Sequence, residues 1–106
     1  MLQNLPMTVD DFRATLTLAT PPPSIRGALL ALWHDAKGDW DTAHRVAQDI
    51  KDASGAWVHA YLHRKEGDES NAAYWYRRAA KPVCRESLEV EWETIVRAFL
   101  TPDARC

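Results

Sequence analysis

Apolar residues recur at helical spacing along almost the whole chain, and no stretch alternates with the period of a β-strand. Val9, Phe12, Leu16 and Ala19 follow Thr8, which reads as an N-cap with Asp10 and Asp11 in the first turn. Pro21, Pro22 and Pro23 stop this segment, because prolines donate no backbone hydrogen bond and bias their predecessors away from helix. Ser24 reads as the next N-cap, ahead of Ile25, Ala28, Leu29, Leu32, Trp33 and Ala36. Gly38 closes that helix and Asp39 caps another, with Trp40, Ala43, Val46, Ala47 and Ile50 on one face. Ser54 and Gly55 mark a further boundary before Trp57, Val58, Ala60, Tyr61 and Leu62, and Gly67 ends that run. Asp68 or Ser70 starts the helix through Ala72, Ala73, Trp75, Tyr76, Ala79 and Ala80, which Pro82 ends. Leu88, Trp92, Ile95, Val96, Phe99 and Leu100 stripe a last segment from Glu86, closed by Pro102.

The pattern predicts an all-α chain of about six helices joined by short connections, so that neighbours run antiparallel. A length of 106 residues fits one domain, 1–106. Its expected parts are flanking helices at about 8–20 and 86–100 and two hairpins at about 24–52 and 54–81.

Composition narrows the function classes. Hydrophobic residues make up 46% and charged residues 26%, which suits a globular chain and not a disordered one. Five Trp are many for this length, and large rings help a small domain bury enough area. Net charge is −2 with the basic residues scattered, so neither nucleic acid nor an anionic membrane is an expected partner. No apolar run approaches the roughly 20 residues of a membrane span. Met1–Met7 lacks a basic flank and is interrupted by Pro6, so no signal peptide is read and the cytoplasm is the expected compartment. Cys84 and Cys106 lack zinc-type spacing and read as thiols, although a disulfide stapling the tail stays open. Arg85 follows Cys84, but adjacency in sequence does not make a thiol reactive.

An internal repeat sharpens the architecture. Residues 31–39 and 60–68 match at one offset of 29 through Ala31/Ala60, His34/His63, Gly38/Gly67 and Asp39/Asp68, and Ala43 then falls on Ala72. Each copy is a helix, a Gly-Asp turn and a second helix. The glycine accepts a left-handed conformation, the aspartate caps, and the small alanines let two axes cross closely.

Gly67-Asp68, Ala72 and the string Trp75-Tyr76-Arg77-Arg78-Ala79-Ala80 resemble the second helix of a tetratricopeptide repeat, and the string is especially similar to Sel1-like repeats. The resemblance covers about residues 28–82. It implies helical hairpins whose first helices line a groove for extended peptides or partner helices. The offset is shorter than that family's usual repeat, Glu69 replaces the ring present as Trp40, and His59 stands where Leu30 sets an apolar residue. These departures predict a compact globule with the outer helices as caps.

Several groups of residues are candidates for chemistry. His59 and His63 lie four apart and Glu66 three further on, so all three share one helix face and could hold a divalent metal. The glutamate that directly follows the first histidine in metalloprotease signatures is absent. By the resemblance, His34 and His63 occupy a site of inter-helix packing. Trp57, Tyr61, Tyr74 and Tyr76 offer an aromatic surface or a core; Tyr74, Trp75 and Tyr76 are consecutive and cannot all face inward, and Tyr74 is the one expected outside. Arg77 and Arg78 with Arg64 and Lys65 could gather an anion, or form local pairs such as Arg64 or Lys65 with Asp68 or Glu69.

No catalytic motif stands out, and no cofactor is expected. The expected function is a non-enzymatic interaction or scaffold module for a protein or peptide partner. The alternative is a small-molecule or metal-binding protein using His34, Trp57, His59, His63, Tyr74 and Arg77, with His59, His63 and Glu66 for any metal. A homodimer paired through the Trp92 helix is a further expectation.

Overall fold

The computed structural model describes residues 7–100. Among these, six α-helices and no strand are present: α1 (Val9–Ala14), α2 (Ala28–Ala36), α3 (Trp40–Asp49), α4 (Ala53–Lys65), α5 (Glu69–Ala79) and α6 (Leu88–Leu100). The readings that rest on Met1–Pro6, Pro102 and Cys106 lie outside the described residues.

The N-terminal cap is as the sequence predicts. Thr8 Oγ1 accepts from the Asp11 N–H and Asp11 accepts from the Thr8 N–H, each at 3.0 Å, a reciprocal capping box. The helix is much shorter than the predicted 8–20. Thr15 Oγ1 donates to the Phe12 carbonyl at 2.6 Å and Thr17 Oγ1 to that of Ala14 at 3.0 Å, and Thr15–Thr17 tightens into a 3-10 turn. Ser24 is not a cap. Ile25 donates back to the Pro22 carbonyl in a turn, and α2 begins only after Gly27, whose φ of 63° a side-chain-bearing residue would resist. Ser54 and Gly55 lie just inside the boundary they mark. They form the first turn of α4, where the Asp52 carboxylate accepts both of their N–H groups. The last helix starts at Leu88 rather than Glu86, with Ser87 Oγ accepting from the Val90 N–H at 3.1 Å.

The two predicted Gly-Asp turns are built alike. Gly38 and Gly67 adopt φ of 87° and 90°. Asp39 N–H reaches the His34 carbonyl and Asp68 N–H that of His63, both at 2.9 Å, which is the six-to-one bond of a Schellman motif. Each aspartate then caps its following helix by accepting from the N–H of Thr42 or Asn71. Ala31, Ala43, Ala60 and Ala72 are buried where α2 meets α3 and α4 meets α5.

The main core gathers Phe12, Leu32, Trp33, Val58, Leu62, Ile95 and Val96. α6 lies against α1, α2 and α4, with Trp92 Nε1 donating to the Leu32 carbonyl at 3.1 Å. Trp92 is therefore buried within the chain, and Val90 is the exposed large apolar residue of α6. Two buried carboxylates pin helices together. Asp35 accepts from Tyr61 Oη at 3.0 Å and Lys65 Nζ at 2.9 Å, and Glu91 accepts from Tyr76 Oη at 2.5 Å and Arg64 at 2.8 Å. Such groups are tolerated inside only because each is paired and hydrogen-bonded.

Candidate metal centre

Two helices supply three imidazoles to one place. His44 comes from the second turn of α3, His59 and His63 from successive turns of α4, and one ring nitrogen of each lies within 4.8 Å of the others. Gly55 sets how closely the two helices meet. A Cβ there would stand 2.4 Å from the Ile50 carbonyl oxygen and 2.9 Å from that of Ala47, so only glycine permits this approach.

Aromatic stacking holds the rings. Trp40 stacks on His44, one turn along α3, with centroids 4.9 Å apart and planes 9° from parallel, and it is anchored by Nε1 donating to the Leu62 carbonyl at 2.9 Å. His59 is sandwiched between His63 at 4.8 Å and Trp75 of α5 at 4.0 Å. His44 meets both His59 and His63 edge-on. This explains the residue that breaks the repeat: His59 lies between two rings, where an aliphatic side chain could not stack.

The protonation pattern suits metal ligation. His63 Nδ1 lies 2.7 Å from Glu66 Oε2, and a carboxylate can only accept, so Nδ1 carries the proton of this bond and Nε2 is the nitrogen left for an ion. A carboxylate behind a histidine in this way fixes the ring's orientation, as it does around metal ions. His44 Nε2 and His59 Nε2 are 2.9 Å apart and share one proton. Burial, followed by the nearby His44 and His63, pushes His59 down to about 4. Burial and His63 lower His44 as well, against the opposing pull of Glu66 and Asp41. Both are neutral at neutral pH, the form that ligates a metal.

The structure thus brings together two of the histidines singled out from sequence, with Glu66 behind them, and adds His44. The 29-residue offset pairs His44 with Ala73, so the repeat hid it; the Trp40–His44 spacing of one helical turn was the signal available. His34 is elsewhere, half-buried with its ring edge on Trp33. Trp57 contacts Phe99 of α6, with Lys81 Nζ 4.1 Å over its ring. Tyr61 and Tyr76 are buried on the Asp35 and Glu91 carboxylates, and burial raises both phenols. Tyr74 is exposed and carries Arg78 over its ring, while Arg77 is exposed on α5. The four basic residues do not gather. Arg64 is committed to Glu91 and the Glu86 carbonyl and Lys65 to Asp35, not to Asp68 or Glu69, because the buried carboxylates need partners more than solvated ones do.

His63, Glu66 and Asp68 also lie close enough to share an ion. Glu66 already holds His63 Nδ1 and Asp68 caps α5, so this grouping would dismantle existing bonds, whereas the triad gives up only one shared proton. Comparison with family models, curated proteins and solved structures gives no match for this chain.

Proposed function

We propose that this chain is a helical metal-binding protein in which His44, His59 and His63 hold one divalent transition-metal ion. The observation that carries the reading is the convergence of three imidazoles with His63 already oriented by Glu66. Imidazole suits zinc, copper, nickel and cobalt, and the absence of a thiolate from the triad disfavours Cu(I). The ion would replace the proton shared by His44 and His59.

Chelator-stripped, tag-free protein titrated with Zn2+, Ni2+, Cu2+ or Co2+ should retain one ion per chain. Metal in hundredfold excess over its dissociation constant should stabilise the fold by about 2.7 kcal/mol. Glu66→Gln should weaken binding roughly 10–100-fold through loss of the orienting carboxylate. A protein that retains no ion and shows no change in unfolding with metal has the triad only as a stacked aromatic core.

The interaction reading takes second place. The two alike Gly-Asp turns and buried crossing alanines support a tetratricopeptide- or Sel1-like relationship of the hairpins. The surface that such repeats leave open between first helices is here covered, since α6 packs on both α2 and α4. A peptide-binding role would need another face, and exposed Tyr74 on α5 is the aromatic residue to test by substitution.

A further inference from the structure

The triad supplies three donors, and no fourth His, Cys, Asp or Glu joins that group among the described residues. Closed structural zinc sites use four protein ligands, whereas sites with three keep one position for an exogenous ligand. Imidazole ligates a metal in its neutral form, so a divalent ion bound by all three would keep its full charge and favour an anion in the remaining position.

Of the three histidines, His59 lines a cleft of about 270 Å3, together with Trp75, between the end of α3, the start of α4 and α5; His44 and His63 do not line it. Lys51 and Arg78 also line it, and among the described residues neither is paired to a carboxylate: Lys51 Nζ donates to the Gln48 carbonyl, and Arg78 lies over Trp75 and Tyr74. The carboxylate in the cleft, Asp52, is already accepting from the N–H groups of Ser54 and Gly55 and from Ser54 Oγ. Two cations that keep their full charge beside one carboxylate that is already hydrogen-bonded make the cleft attractive to negative charge. Its volume is below the roughly 300–1,000 Å3 of pockets for drug-sized molecules, which restricts the occupant to a small one.

We infer that the metal held by His44, His59 and His63 takes a small carboxylate as its fourth ligand, admitted through the cleft between Lys51 and Arg78. This rests on the metal-binding reading above. The ligand completes the ion's coordination and neutralises part of its charge, Lys51 and Arg78 draw it in, and Trp75 covers the apolar side.

The test uses the full chain loaded with Co2+, whose visible absorption reports coordination, titrated with acetate and, separately, azide. A saturable change in the Co2+ bands with acetate is expected, and azide should compete for the same position. Lys51→Ala and Arg78→Ala should each weaken acetate roughly two- to five-fold, the range for one exposed charge, while leaving Co2+ stoichiometry unchanged. Co2+ uptake with no spectral response to either anion overturns this inference and leaves the metal site standing. An acetate response insensitive to both cation substitutions overturns the route through the cleft. Failure to take up Co2+ at all overturns both readings together.

Discussion

Replacing Gly55 by alanine tests the geometry that brings α3 and α4 together. The added Cβ would stand 2.4 Å from the Ile50 carbonyl oxygen, 2.7 Å from Ile50 Cβ and 2.9 Å from the Ala47 carbonyl oxygen. Two of these neighbours are backbone atoms, so no side-chain rotation relieves the clash; the end of α3 must move away from α4. Overpacking of this kind costs typically about 1–3 kcal/mol and sometimes more. Because Gly55 lies in the first turn of a helix, alanine also gains up to about 1 kcal/mol of helical propensity. With two of the three contacts on backbone oxygens the steric cost lies toward the upper end of that range, about 2–3 kcal/mol, and it wins by about 1–2 kcal/mol. For a domain of this size each kcal/mol lowers Tm by about 4–8 °C, so Tm should fall by roughly 5–15 °C. Urea and thermal unfolding followed by circular dichroism measure this directly. Metal affinity should fall with it, since His44 rides on the helix that moves. Unchanged or increased stability in Gly55→Ala would refute the close approach, and with it the placement of His44 against α4.

Two further outcomes follow from the buried charges and the histidines. Glu91→Gln weakens the charged acceptor shared by Tyr76 and Arg64 and should cost about 1.5–3 kcal/mol in urea unfolding; a change near zero would mean that Glu91 is solvated rather than buried. The metal-free protein should lose stability as pH falls from about 6.5, the ordinary histidine value, toward the value of about 4 held by His59. Within that window the unfolded chain binds a proton that the fold excludes, so acidification favours unfolding, and His44 adds to the effect in the same direction. The stability held in this way is fully present above the window and absent below it. Denaturant midpoints across pH should show the slope, and His59→Gln should flatten it; a fold that gains stability between pH 6.5 and 4 contradicts the assignment.

Much of the helical architecture was legible because local chemistry agreed with the apolar spacing. Thr8, Gly38-Asp39 and Gly67-Asp68 set element boundaries through bonds that involve only near neighbours, and a repeat makes the two turns visible as a pair. The misplaced boundaries arose where local signals competed. Thr15 and Thr17 back-bond to carbonyls and shorten α1, Asp52 caps α4 ahead of the more conspicuous Ser54-Gly55, and Gly27 restarts the chain after the prolines. The site was half legible. His59, His63 and Glu66 lie on one helix, where spacing alone aligns them. His44 is 15 residues before His59 and joins them only through packing of α3 on α4, which no local pattern encodes. The buried partners of Arg64 and Lys65 were hidden for the same reason, since Asp35 and Glu91 come from other helices.

X-ray absorption spectroscopy at the zinc edge of stoichiometrically loaded, tag-free protein tests the central claim most directly. Three imidazole ligands predict a shell of nitrogen and oxygen donors at about 2.0–2.1 Å with the outer-shell scattering of histidine rings, reduced by one ring in His44→Ala. A sulfur shell at about 2.3 Å, or zinc bound with no imidazole scattering, would contradict a centre built on His44, His59 and His63.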